Sequence, residues 1–421
     1  MPLRRDQVSL GVLMTVVDRA AIDGAAAASG VRAKRSDSKL PPHVTAYLTM
    51  GLSLFAGDDY TEVTTKVTGS MDRFNCWDAA WPVPTSSAVT QARKRLGAAF
   101  MPELAARVFG PVAGDPGLMA GQIALGRARS SFACGRRLVA IDGFELDVPD
   151  SAANAAEFGY AGSGDNRSAF PKVRVVTVTE CGTHALLDAQ VAPYAVGEST
   201  LAARMLPDLR PDELLVADRN FYSFTAWCTA ADTGAALAWR APTGLRLPLI
   251  KILPDGTYLS VLIKATVRGA RRQALIDAAH HDPSGARLDP DQARIARVVE
   301  YNVTDREGSG TGEVITVITT LTDPATARAA EIAAAYNGRW EHENGNDELK
   351  THLRGAGAVL RSRLPELVYQ ESWAHLIVHH AISVLIAKAS AAADPHPDQI
   401  SYLDTLRLIR RTATGTADIP P

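Results

Sequence analysis

The chain has 421 residues, enough for two or three structural units, each with a core of its own. With 46% hydrophobic and 21% charged residues the composition is that of an ordinary globular protein, which excludes a disordered or fibrous chain. The net charge of -2 conceals an asymmetry: residues 1–137 carry 17 Lys and Arg against 11 Asp and Glu, the remainder 27 against 35, so basic charge is concentrated at the front.

In chain order, VSLGVLMTVV follows Arg4 and Arg5 but runs straight into Asp18 and Arg19, which predicts an amphipathic helix and not a signal peptide. AAAASGVRAKRSDSKLPP, small, polar and basic, reads as a mobile connection. From 41 to about 110 the pattern is helical. The second part of it, TSSAVTQARKRLGAAFMPELAARVF, opens on Thr85-Ser86-Ser87, which can supply an N-cap. It carries Arg93, Lys94 and Arg95 midway, which read equally as a solvated face or as a helix lying against DNA phosphates. GPVAGDPGLMAG closes this front unit near residue 120.

The periodicity then changes. LVAI (138–141) is a short buried-strand run ending on Asp142, and GFELDVPD alternates at period two as a second strand. KVRVVTVTE (172–180) and HALLDAQVAPY (184–194) predict a hairpin, followed by a helix over 198–206. LLVA (214–217) is another buried strand, it too ends on an aspartate, Asp218, and a helix over 223–233 follows. Between 235 and 322 the chain is β-rich. There REGSGTGE (306–313) reads as a hairpin turn and fails as a phosphate loop, because no G-K-[ST] follows. Helix is expected from Pro324 onward, capped by Asp323, through YNGRWEHENGNDELK (336–350) and ESWAHLIVHHAISVLIAKA. No segment reaches the run of about 18 apolar residues that a membrane span requires, so a cytoplasmic protein is expected. Cys76, Cys134, Cys181 and Cys228 include no C-x-x-C pair and read as buried, reduced thiols.

Two acids at strand ends converge when their strands are neighbours, so Asp142 and Asp218 are candidates to share a metal. On a helical wheel Tyr336, Arg339, Glu343 and Lys350 fall on one stripe, a phenol, two cations and a carboxylate. By itself such a stripe is usually a solvated face. Beside Asp142 and Asp218 it suits a helix whose glutamate completes a two-metal site while its cations hold phosphate oxygens. Gly338 and Gly345, costly in a helix, read as room for a ligand backbone. Arg219 can orient a phosphate or pair with a neighbouring carboxylate, the pair being favoured; Lys172 and Arg174 can point at DNA, though exposed strand charges are commoner; Glu198 reads as a carboxylate at a helix start. The pairs His280-His281 and His379-His380 read as core or interface histidines, and His342 and His352 lie off the stripe.

These residues resemble the transposases of the bacterial IS4 insertion-sequence family. The family signature of Tyr, two residues, Arg, three residues, Glu, six residues, Lys is met at Tyr336, Arg339, Glu343 and Lys350. LVAIDGFELDVPDS and LLVADRNFYSF resemble the blocks around its first and second aspartates, and the similarity extends over nearly the whole chain. The resemblance implies an α/β fold. Its ribonuclease-H-like catalytic core would span 121–234 and 323–360, with a β-rich insertion at 235–322, a helical N-terminal DNA-binding domain at 1–120 and a helical C-terminal region at 361–421. It also implies an enzyme in which Asp142, Asp218 and Glu343 bind Mg²⁺ (or Mn²⁺) to cleave and join double-stranded DNA at inverted-repeat ends, with Tyr336, Arg339 and Lys350 on the phosphates and a dimer bridging two ends. Some members cut through a DNA hairpin with an aromatic of the insertion; Trp239, Tyr258 and Tyr301 are the candidates, while EVITVITTL has none. The competing expectations are a decayed copy that only binds DNA, and a paired-carboxylate hydrolase using Asp142 and Asp218 without metal.

Overall fold

A computed structural model describes residues 11–32, 40–71, 77, 81–114, 131–303, 313–339, 345–355, 357–393 and 400–413. The front of the chain is helical, as its periodicity requires: α1 (Gly11–Val16), α2 (Arg19–Ala28), α3 (Pro42–Leu54), α4 (Tyr60–Met71), α5 (Ser86–Leu96) and α6 (Phe100–Val108). Local chemistry sets their ends. Asp18 caps α2 by accepting from Ala21 N at 2.7 Å, Thr85 caps α5 by accepting from Ala88 N at 3.2 Å, and Gly97 at φ 73° ends α5. Leu13 and Val17 lie buried in the helical core, where an amphipathic first helix places them.

Around Asp142 the sequence suggests two short strands; the fold makes one. After β1 (Phe132–Ala133), β2 (Arg136–Asp147) runs unbroken through Asp142 and Gly143, because β3 (Lys172–Glu180) pairs with it antiparallel from Val139 to Asp147 and carries the glycine in the ladder opposite Val176. β3 and β4 (Leu186–Pro193) form the expected hairpin. On its other edge β2 runs parallel to β5 (Glu213–Ala217), and β5 parallel to β6 (Ala236–Arg240). Helices α7 (Ala152–Phe158), α8 (Glu198–Met205) and α9 (Phe224–Asp232) connect these strands, with α8 and α9 packed on one face of the sheet through Leu201, Met205 and Trp227.

The β-rich stretch is not a sheet of its own. β7 (Lys251–Ile252), β8 (Tyr258–Ile263), β9 (Ala293–Val303) and β10 (Glu313–Thr319) join the core sheet through an antiparallel pairing of β10 with β6. Among the described residues this gives one ten-stranded sheet in the order β4-β3-β2-β5-β6-β10-β9-β8-β7, with β1 on β2. β6 therefore belongs to the core, although its sequence reads as the start of the insertion. The insertion also holds a helix that strand periodicity hides, α10 (Gly269–His281), whose only buried residue is Ala279, so no apolar stripe announces it. The turn expected at 306–313 lies largely outside the described residues, but Val303 pairs with Glu313, as a hairpin requires.

The helix expected from Pro324 begins later, as α11 (Ala329–Asn337). Asp323 instead accepts from Ala325 N at 2.9 Å in a turn. Its carboxyl-terminal continuation includes a π-helical segment, Glu348–Leu353. The chain ends in α12 (Pro365–Ala393) and α13 (Tyr402–Ala413). These do not form a separate C-terminal unit: Ala374, Ile377, Ile382, Leu406 and Ile409 share one core with α1 to α6. Arg361 donates to the carbonyls of Phe55 and Asp58, and Arg410 to those of Leu54 and Leu353, which ties the two ends of the chain together. α12 is, among the described residues, the one helix long and apolar enough to cross a membrane, which corrects the expectation that no segment qualifies. Its most apolar window is 83% buried in the protein, which accounts for its composition.

Candidate active site

The register of three parallel strands builds the site. Ile141 pairs with Ala217, and Ala217 with Trp239, so the next position on each strand puts Asp142, Asp218 and Arg240 in one row across β2, β5 and β6. Alternation then decides which way they face. Leu138 and Ala140 of β2 and Leu214 and Val216 of β5 lie in the cluster that α11 covers, whereas Val139, Ile141, Leu215 and Ala217 face α8 and α9. Asp142 and Asp218 therefore project on the α11 face. Asp142 is not at a strand end, as its sequence context suggests, but at the point where β5 stops pairing and one edge of β2 opens. Its Oδ1 accepts from Gly143 N at 2.8 Å.

The same face carries the signature segment. Tyr336 shares a buried cluster with Leu138, Ala140 and Val216 on the near side of Asp142, while Leu349 shares another with Phe144 and Leu146 on the far side. Lys350 Nζ lies 5.9 Å from the centre of the Phe144 ring, two residues along β2 from Asp142. The segment thus straddles the aspartate. It does so without being one regular α-helix, because Lys350 sits in the π-helical turn and the wheel that placed it assumes 100° per residue. Glu343 lies outside the described residues, as do Trp340 and His342.

Electrostatics tie Tyr336 to the row. Burial pushes its phenol pKa up; Arg339 and Arg240 pull it down and Asp218 pushes it up, so all three charges face it. The Tyr336 hydroxyl is buried beside the Arg339 guanidinium, whose hydrogen bond helps pull its pKa back down. Tyr301 donates to Asn337 Oδ1 at 2.9 Å, and burial pushes its pKa up to about 12. Arg240, which pairs with Glu313, is the site residue that sequence reasoning misses. The signal was its place at the end of the strand that follows the Asp218 strand.

The structure corrects several expectations. Arg93 is fully buried and donates to Leu367 O at 2.9 Å, Gln370 Oε1 at 3.3 Å and Tyr60 OH at 2.5 Å, so it docks α5 on α12 and does not face DNA. Lys94 and Arg95 are exposed. Trp239 is fully buried edge-on to Trp227, which removes it as a base-holding aromatic. Gly338 serves the protein's own packing: a Cβ there would come 2.9 Å from Leu138 Cδ2, so the glycine lets α11 approach β2. Gly345 differs: a Cβ there would stand 3.5 Å from His184 Cβ, an ordinary contact, so packing does not require the glycine. Glu198, at the start of α8, packs its carboxylate against Gly143 from the opposite face of the sheet. Lys172 pairs with Glu145 and Asp147, and Arg174 with Glu145, and both are half-buried, not the exposed strand charges expected. Of the cysteines, Cys181 is buried, Cys134 and Cys228 are half-buried, and Cys76 lies outside the described residues.

Residues 133–379, which hold β2 to β10 and helices α7 to α11, match the family described as Transposase DDE domain. This chain belongs to the DDE transposases. Residues 7–106 match a second family, Insertion element 4 transposase N-terminal, so the front of the transposase is of the IS4 type. It is 27% identical over 336 residues to Transposase InsG for insertion sequence element IS4 of Escherichia coli (strain K12), covering 78% of this chain and 68% of that one. To Putative transposase InsZ of the same organism it is 34% identical over 157 residues, 37% of this chain and 49% of the relative. Among solved structures it is similar to the piggyBac transposase synaptic complex with hairpin DNA, with a TM-score of 0.46 and 9% identity over 96% of this chain and 80% of that one. The family fold, a ribonuclease-H-like core behind a helical N-terminus, is the architecture described above.

The family implies a divalent metal, and the donors present fit one. Asp142 and Asp218 offer hard carboxylate oxygens from adjacent strands, the ligand type such cations take. Among the described residues no third His, Cys, Asp or Glu completes the set, and the expected third donor, Glu343, lies outside them.

Proposed function

We propose that this transposase cuts double-stranded DNA at the inverted-repeat ends of its own element and joins the freed 3′ hydroxyl to target DNA. The observation that carries this reading is the row of Asp142, Asp218 and Arg240 on the sheet face that the signature segment straddles. Asp142, Asp218 and Glu343 would hold Mg²⁺ or Mn²⁺, which when bound activates the attacking oxygen and stabilises the leaving one. Arg240, Arg339 and Lys350 supply cationic donors for the phosphate oxygens on either side of the scissile bond. Arg339 can only donate to the Tyr336 hydroxyl, which leaves the phenol proton to give, and a phosphate oxygen is the acceptor the site would bring to it.

The basic front helices take part in holding the duplex, with Lys94 and Arg95 on its backbone, and two copies bridge two ends. The protein works in the cytoplasm, at the nucleoid. The test is cleavage of a labelled duplex carrying the inverted repeat that flanks the gene, with Mg²⁺, by wild type, Asp218→Asn and Glu343→Ala. Wild type is expected to nick at the repeat boundary and both variants to lose at least about 100-fold in rate. Equal products from all three proteins overturn the assignment.

A further inference from the structure

Five residues after Glu343, the signature segment carries a carboxylate that the chemistry above does not use. Glu348 opens the π-helical turn, its side chain 17% exposed. One oxygen, Oε2, is 3.0 Å from His184 Nδ1 and 3.3 Å from His379 Nε2. His184 sits at the tip of the β3–β4 hairpin with φ 57°, and its carbonyl lies 3.3 Å from Ser383 Oγ of α12. His379 is buried on α12, its ring 5.4 Å from that of Tyr402 on α13. One carboxylate oxygen thus joins the signature segment, the core hairpin and the two C-terminal helices. The next residue, Leu349, enters the sheet-side core, and Leu353 enters the helical core.

A buried carboxylate must offset its own desolvation, so a contact like that of Glu348 with His184 and His379 gains little stability over apolar residues of the same size, and stability alone does not account for it. Burial pushes the Glu348 carboxyl up, but the hydrogen bonds and the charges of His184 and His379 outweigh it and bring its pKa down to about 2. Lys350, two residues on, depends on this turn for its place beside Phe144 on the Asp142 face.

We propose that Glu348 is a positioning residue: by binding His184 and His379 it sets the π-helical turn so that Lys350 meets the DNA backbone at the active site. The inference rests on the reading of Lys350 as a phosphate-binding residue. A misplacement of about an ångström at a reacting centre costs about 100-fold, whereas loss of the lysine's contact cannot be suffered twice.

Full-length wild type, Glu348→Ala, Glu348→Gln, Lys350→Ala and Glu348→Ala/Lys350→Ala are compared in single-turnover cleavage of the flanking-repeat duplex with Mg²⁺. End binding without metal is measured in parallel. Glu348→Ala and Lys350→Ala should each slow cleavage about 10- to 100-fold, and the double variant should be no slower than Lys350→Ala. Glu348→Gln, whose amide oxygen can accept both histidine N–H groups, should stay within about threefold of wild type. If Glu348→Ala fails to fold, His379→Phe removes one donor in its place and should show the same non-additivity with Lys350→Ala. Lys350→Ala cleaving at the wild-type rate sinks the reading of Lys350 itself. A slow Lys350→Ala with an additive double variant, or a Glu348→Ala that cleaves normally, overturns the positioning role alone.

Discussion

Replacing Arg93 by Ala separates stability from DNA binding, because this residue belongs to a basic triplet in sequence and to the interior in space. Its guanidinium serves Leu367 O at 2.9 Å, Gln370 Oε1 at 3.3 Å, Ser362 Oγ at 3.4 Å and Tyr60 OH at 2.5 Å, while Gln370 Nε2 donates back to Arg93 O at 2.7 Å. The alanine variant keeps that last bond and removes every other donor. Each buried acceptor left without a partner costs about 1–3 kcal/mol, and the emptied volume adds to this. Water entering the cavity recovers part, leaving an expected loss of about 3–5 kcal/mol. Urea denaturation followed by tryptophan fluorescence reads it as a lower midpoint. DNA affinity against salt, measured on the folded protein, should keep its wild-type slope. Lys94→Ala and Arg95→Ala should do the reverse, holding stability within about 0.5 kcal/mol and each lowering the log–log salt slope by about 0.9. An Arg93→Ala protein of wild-type stability with a reduced salt slope would refute the burial argument.

Gly338→Ala should push α11 off β2, since the new methyl lies 2.9 Å from Leu138 Cδ2; a cost of about 1–3 kcal/mol and slower cleavage are expected, and Leu138→Ala in the same protein should restore the rate. Glu348 makes stability depend on acid. Its folded pKa, about 2, lies below the ordinary 4.5, so its contribution is complete above pH 4.5 and is lost as pH falls towards 2. That difference is worth about 3 kcal/mol, and denaturation midpoints from pH 7 to pH 3 should fall less steeply for Glu348→Gln than for wild type. Trp239→Phe, which alters a core ring away from solvent, should lower stability and leave the cleavage products unchanged.

Residue types and spacing were enough to read the helical front, the β3–β4 hairpin, the strand before Asp218 and the signature of Tyr336, Arg339, Glu343 and Lys350, because each is written in local periodicity or in a fixed motif. The continuity of β2 through Gly143 was not legible. A glycine reads as a break until a neighbouring strand holds it in its ladder. The same limit hid the role of Arg93, since three adjacent basic residues look alike until one helix face meets α12. Arg240 gave no motif at all; only the parallel register of β5 and β6 sets it beside Asp218. Sequence by itself determined which chemical groups this transposase possesses and the family to which they point. The tertiary structure alone decided which of them share a face, because strand register and helix docking depend on contacts between residues far apart in the chain.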